Sequence, residues 1–365
     1  KVLLVGAGPS VDNYIDFIYE NQHKLTIICA DIIVKKLEKN NIKPDIVVSI
    51  DPLPIIGEFL TTKDKDFLND TAMVFMTQQH EETLKVVEKY HNYFAQSIPV
   101  FKHLGYLGTI PNVGTYSTSF AFFAGAEEYY FIGNDAAFNQ DTGERYSRDS
   151  ANYVKDSLET VESDKVSQYD VIEVPGNLRK KVKTNRELFR FKTDFEAVIS
   201  MYKLEEKKLY NLSDGVHIEG MKPLTQEKFA KILSTQVNDS KDIITQMNNI
   251  SRIVKSCDFS DDIVIINLIL QRITKYRKKS YKDRDDFLKN KLDLMLWVLD
   301  QSSKCDSRVT GDLFLKFTEL ADVFVYFILN INQKDLEKKA EVNKLANLWI
   351  TGLYNLFKDI KIILK

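Results

Sequence analysis

Cysteine is scarce, with Cys29, Cys257 and Cys305 the three in 365 residues. They are odd in number, far apart and lack a zinc-binding spacing, which excludes a disulfide framework and a zinc ribbon. Cys29 lies inside an apolar run and reads as a reduced, buried thiol, which points to the cytoplasm as the compartment. A charge excess is also missing: 50 Lys+Arg against 52 Asp+Glu leave a net charge of -2. Nucleic-acid binding usually shows as a basic excess, so nucleic acid is not expected as a partner. No apolar run is long enough to cross a bilayer and no signal peptide leads the chain, so no membrane association is expected. A starter Met is absent too. The chain opens on Lys1, directly in a strand-like run, which suggests a fragment of a longer polypeptide with an upstream domain.

What is present is ordinary for a globular protein, 44% hydrophobic and 28% charged, and long enough for one large domain and a smaller one. Strand-like runs at 2–5, 25–30, 46–50, 72–77, 98–101 and 129–133 alternate with helical stretches at 11–20, 33–40, 81–91 and 115–124. The runs are continuously apolar, as expected of strands buried on both faces of a parallel sheet. The spacing predicts a doubly wound, Rossmann-like α/β domain with a mostly parallel sheet over residues 1–224. Residues 139–183 are polar and broken and read as a lid over the strand ends, followed by a helix near 185–203 and a short strand in "KLYNL". From Thr225 glycine nearly vanishes. Val342, Leu345, Trp349, Leu353, Leu356, Ile360 and Ile363 then recur at helical spacing, which predicts an all-α helical bundle over 225–365.

In doubly wound sheets ligands bind beyond the carboxyl ends of the strands. That edge collects Gly6, Gly8, Pro9 and Ser10 after the first strand, Asp31 after the second, Asp51 after the third, and Asn134 and Asp135 after "YYFIG". One such Asp can be merely a helix N-cap, but several on one edge point to a site. "GAGPS" lets the backbone turn tightly and approach a phosphate, yet Val11-Asp12 stand where a dinucleotide fingerprint has its third glycine. Pro9 removes one amide, which suits a single phosphate or nucleoside better than a pyrophosphate. Gly114, Thr115 and Ser117 open a helix and offer a second phosphate or nucleoside contact. Asp135 is a candidate general base or ribose ligand. The basic run "LRKKVKTNR" reads first as a solvated face and second as steering for an anionic donor, with Lys183 and Thr184, at the entry to a helix, excepted from the first reading.

The segments "VGAGPS", "ICAD", "IKPDIVVSIDP", "NVGTYSTSFAFFAGAEEYYFIGNDAAF", "TNRELFRFKTDFEAVI" and "NLSDGVHIEG", in this order, resemble the motility accessory factor (Maf) flagellin glycosyltransferases over roughly residues 1–224. That architecture also has a helical C-terminal domain, which 225–365 matches, and an N-terminal domain with no counterpart in this chain. Two of the motifs are similar to those of bacterial CMP-sialic-acid-dependent sialyltransferases. The resemblance implies transfer of a nonulosonic acid (pseudaminic or legionaminic acid) from its CMP-activated form to Ser or Thr hydroxyls of flagellin. The Gly6–Ser10 loop and the Gly114 turn would then hold CMP. A single-phosphate leaving group makes a divalent metal optional, and no paired-acid DxD stands at a strand end, so no cofactor is expected. Tyr146 and Arg145 would donate to the leaving phosphate, with Asp135 or His217 as the base. Tyr146 fits the sialyltransferase tyrosine loosely, whereas the catalytic His of that pattern has no clear counterpart, His217 being the only downstream histidine.

Two other readings stay open. The same "GxGPS…PD…D" skeleton resembles archaeal 6-hydroxymethyl-dihydropterin pyrophosphokinases, which would need acids for magnesium and leave the helical part unexplained. A non-catalytic flagellin-binding factor would use the helices and keep the pocket as a relic.

Overall fold

The computed structural model describes residues 1–97, 104–108, 112–151, 170–235, 242–253, 259–304, 309–331 and 339–364. The chain divides into two compact units, one comprising Lys1–Ile98 and Gly105–Arg252, the other Pro99–Leu104 and Ile253–Lys365.

The first unit is built on strands β1 (Val2–Val5), β2 (Thr26–Ala30), β3 (Ile46–Ser49), β4 (Ala72–Met76), β5 (His91–Ala95), β6 (Glu128–Ile132), β9 (Lys208–Asn211) and β10 (Lys222–Pro223). They form one sheet in the order β10-β9-β6-β1-β2-β3-β4-β5, and every pair is parallel. A separate antiparallel hairpin joins β7 (Val171–Pro175) to β8 (Lys181–Asn185) in the register Val174↔Val182. Short helices α1 (Ile15–Asn21), α2 (Val34–Lys39), α3 (Ile55–Phe59) and α4 (Glu81–Val87) link the first five strands. Helices α5 (Val113–Phe123), α6 (Arg186–Met201), α7 (Gln226–Ser234) and α8 (Ile243–Ile250) complete the unit.

The apolar runs are continuous because successive side chains serve two cores. Leu3, Val5, Ile27, Cys29, Val47 and Phe75 point to one face, under Phe17, Leu37, Leu60 and Phe229. Val2, Leu4, Ile28, Val48 and Val74 point to the other, under Tyr116, Phe120, Phe195 and Val198. Each fully buried Val, Leu, Ile or Phe adds roughly 1.5–3 kcal/mol, so loss of either helical layer would strip half of that from every strand. The expected doubly wound α/β architecture is therefore observed.

The structure departs from the sequence expectations in several places. The strand that follows α4 is His91–Ala95, which the sequence reading did not expect; the strand expected at 98–101 lies outside the described residues. As the last strand in the sheet order β5 has no fully buried residue, so it never shows the apolar run that marks the inner strands. Within 139–183, residues 170–183 belong largely to the β7–β8 hairpin, and 152–169 lie outside the described residues. The first helical stretch breaks into a 3₁₀ turn at Pro9–Asn13, which Pro9 opens at a position where no N–H is needed, and α1. The α/β unit continues beyond Leu224 to Arg252: Phe229 and Leu233 of α7 lie in one sheet core, and Ile243 and Met247 of α8 in the other.

The second unit holds α9 (Ser260–Arg277), α10 (Arg284–Ser302), α11 (Val309–Ile331) and α12 (Lys339–Ile363). Its core gathers Ile266, Ile269, Leu294, Phe314 and Phe357 around the expected stripe of Val342, Leu345, Trp349, Leu353 and Ile360. Ile363 is 76% exposed and falls off that stripe. Among the described residues, no helix is long and apolar enough to cross a membrane.

Candidate functional site

The sheet order fixes where a ligand can sit. The chain runs from β1 to β5 in one direction and then returns through α5 to place β6 on the other side of β1. The strand order thus reverses between β1 and β6, and a crevice opens beyond their carboxyl ends. A cavity of about 330 Å³ occupies that crevice, at the small end of ligand sites and of a size for a mononucleotide.

Its floor is the contact between two turns. The Gly6 amide donates to Ile132 O at 2.8 Å and the Gly8 amide to Gly133 O at 2.7 Å. A Cβ on Gly8 would strike the Asp135 carboxylate, and one on Gly6 the Gly133 carbonyl. Both glycines are therefore required by the approach of one turn to the other, and their amides are already spent there. Gly6, Ala7 and Gly8 nonetheless line the cavity. Pro9 starts the 3₁₀ turn and, like Ser10, is buried and outside the cavity lining. The Ser10 hydroxyl donates to Asp135 Oδ1 and accepts from the Asp214 amide at 2.7 Å. Ser10 is a brace between three segments.

Asp135 borders the cavity but is 3% exposed, with the Ser10 amide 3.4 Å from its Oδ2. Burial pushes its carboxyl up to about 7, against the pull of the Ser10 hydrogen bonds and with the Asp214 charge adding to the rise. The residue holds or releases a proton near neutral pH. Beside it Ala136 has φ +48°, a left-handed conformation uncommon outside glycine. The Val216 amide bonding Asp135 O at 2.8 Å and the Thr184 hydroxyl bonding Ala136 O at 2.7 Å hold this turn.

One wall is the N-terminus of α5. Asn112 caps it by accepting from the Thr115 amide at 2.9 Å and donates to Asp194 at 3.2 Å. Asn112, Gly114 and Ser117 line the cavity, and the helix dipole there favours an anion. Thr115 is fully buried, outside the lining, and its hydroxyl turns back to Asn112 O at 2.9 Å. Asn134 lines the cavity between the two turns, its Oδ1 next to both Gly6 and Gly114.

The opposite wall carries Arg145 and Tyr146, with the guanidinium 5.4 Å from the Tyr146 ring centroid and Arg145 Nη2 2.6 Å from Glu187. Asp51 is exposed at the rim. Asp31 is one residue out of line: Ala30 and Ile32 border the cavity, while Asp31 turns into the protein. Burial raises its carboxyl to about 6, against the Ser49 hydroxyl and the Ile32 amide (2.7 Å) and with the Asp51 charge adding to the rise. Among the described residues no group of three or more His, Cys, Asp and Glu side chains could hold a metal ion.

The structure does not bring Lys183 or His217 to the cavity lining. Lys183 sits in β8, its amide donating to Gln140 at 2.6 Å. His217 is half-exposed, with its ring 3.5 Å from Glu219 and its amide bonded to Pro175 O at 3.0 Å. The sequence reading also missed an apolar wall, Leu188, Phe191 and Phe195 of α6. Their i, i+3, i+7 spacing is visible in the sequence as a helix face, but only the fold aims that face at the strand ends.

Residues 1–141 match the family model described as 6-hydroxymethylpterin diphosphokinase MptE-like. No curated protein sequence matches the chain significantly. The chain is similar in structure to the Maf glycosyltransferase from Magnetospirillum magneticum AMB-1, at 16% sequence identity and a TM-score of 0.59 over 98% of this chain and 54% of that one. It thus spans about half the length of that protein, and the Maf resemblance read from its motifs holds at the level of the fold.

Proposed function

We propose that this chain is the transferase part of a cytoplasmic protein O-glycosyltransferase that moves a nonulosonic acid from its CMP-activated form to Ser or Thr hydroxyls of flagellin. The observation that carries this reading is the extent of the structural likeness. The Maf glycosyltransferase fold covers 98% of the chain and so includes the helical unit, whereas the diphosphokinase-like family match stops at residue 141. The site is consistent with it. A cavity of about 330 Å³ suits one nucleoside monophosphate, and Arg145 with the α5 N-terminus suits the phosphate and carboxylate of such a donor.

In this reading the bond between the anomeric carbon and the CMP phosphate oxygen breaks as the acceptor oxygen bonds to the anomeric carbon. The acceptor proton passes to the Asp135 carboxylate, whose pKa of about 7 suits that exchange. Tyr146 and Arg145 donate hydrogen bonds to the departing phosphate oxygens, where negative charge develops. The apolar α6 wall keeps water from the reacting centre.

The test is a pair of measurements. CMP is expected to raise the melting temperature of the isolated protein, and Mg-ATP with a hydroxymethylpterin is not. Flagellin co-expressed with the full-length protein and the sugar pathway is expected to gain the mass of the nonulosonic acid. Stabilisation by Mg-ATP but not by CMP would favour the diphosphokinase reading that the family match supports. Flagellin that binds but keeps its mass would leave a non-catalytic binding factor.

A further inference from the structure

Val11 stands where a dinucleotide-binding loop would carry its third glycine, and the side chain of the next residue, Asp12, reaches across to two other segments. Its Oδ1 accepts from the Lys36 ammonium and from the Ser147 hydroxyl, and its Oδ2 from the Arg148 amide at 3.2 Å. Lys36, from α2, is 5% exposed and also donates to Arg148 O at 2.8 Å. The Ser147 amide bonds Ala7 O at 2.8 Å in the β1 loop, and the Ala151 amide bonds Ile32 O at 3.0 Å after β2. A buried Lys36 ammonium and a half-buried Asp12 carboxylate thus clamp the backbone at 147–148 from both of its polar groups and tie it to the ends of β1 and β2. The two residues immediately before the clamp, Arg145 and Tyr146, line the cavity.

We propose that Asp12 and Lys36 are positioning residues, a two-residue latch that sets Arg145 and Tyr146 over the ligand cavity. The inference rests on the reading that Arg145 and Tyr146 meet the donor phosphate. Taking the Lys36 ammonium out of water offsets much of the pair's attraction, so its main effect is one fixed geometry. Asp12→Asn keeps the shape but turns an amide donor toward the Arg148 N–H. Lys36→Met keeps the stem and removes the ammonium. Ser147→Ala removes a single hydrogen bond and is the mildest of the three.

Hydrogen exchange on the ligand-free protein gives the first test. Amides at 145–151 are expected to exchange at least about tenfold faster in Asp12→Asn and Lys36→Met, and measurably faster in Ser147→Ala, while β1 and β2 amides keep their rates. Unchanged exchange at 145–151 overturns the latch. Calorimetric CMP binding gives the second test. Each latch variant is expected to weaken CMP binding by about tenfold, as small displacements of contacting groups do. In an Arg145→Ala/Tyr146→Phe background Asp12→Asn is expected to cost less than about a further twofold, because a residue acting through those two side chains cannot cost twice. Additive losses would mean that Asp12 acts through general stability and would overturn the positioning role. A native protein that fails to bind CMP refutes the CMP reading, and the exchange result alone then decides the latch.

Discussion

Replacing Asp135 with Asn isolates the electrostatics of the site floor. Asp135 is 3% exposed, and burial is the main reason its carboxyl rises from 3.8 to about 7. In the unfolded chain the group ionises near 3.8, so between the two values the folded protein holds a proton that the unfolded chain has released. Its contribution to stability is therefore complete below pH 3.8, falls as pH rises and is lost above about 7. At about 1.36 kcal/mol per pH unit, the gap amounts to roughly 4 kcal/mol. Asn has the shape of the neutral acid and carries no buried anion at any pH. The stability of Asp135→Asn relative to the native protein should thus improve by roughly 3 kcal/mol between pH 5 and pH 8. Other titrating groups, such as Asp31 at about 6, are common to both proteins and cancel in the difference. Urea unfolding at the two pH values measures it. A stability difference that stays constant with pH, or that moves in favour of the native protein at pH 8, would refute the assignment of a buried, near-neutral carboxyl.

Gly8→Ala places a methyl against the Asp135 carboxylate and, at 2.8 Å, the Gly133 carbonyl. It should lower the urea midpoint by about 1–3 kcal/mol of stability or more and weaken CMP binding with it. Ala136→Gly relieves a residue at φ +48° and should raise stability by up to about 1–2 kcal/mol in the same assay. Cys29 is buried and its thiol is pushed well above its ordinary value, so peptide mapping after iodoacetamide should find it unlabelled in the folded protein and labelled in urea. Asp322→Ala removes the partner that Lys291 holds at 2.6 Å inside the helical unit and should cost about 3–5 kcal/mol, read as an early unfolding transition of that unit.

The inner strands were legible because both of their faces are buried, which leaves unbroken apolar runs in the sequence. β5 was not, since as the last strand of the order it buries neither face fully. The glycines of "GAGPS" and the acids at the strand ends were legible as positions but not as roles. Gly6 and Gly8 admit a neighbouring turn, Ser10 braces Asp135, and Asp31 faces inward one residue out of line. His217 shows the opposite failure: a reactive residue type in a family-like stretch that does not line the cavity and whose ring lies 3.5 Å from Glu219.

The sequence by itself determined the alternation of buried strands and helices, the edge on which a site must lie, and the amphipathic stripe of the helical unit. These are local properties, set by side-chain periodicity and by where apolar runs stop. Only the tertiary structure decided which strand ends meet, since β1 and β6 are neighbours by crossover although more than a hundred residues separate them. It alone set Asp12 and Lys36 beneath 147–148, aimed the Leu188–Phe191–Phe195 face into the crevice, and raised the Asp135 carboxyl to about 7. Burial and proximity across the chain are collective results of packing, and residue spacing does not encode them.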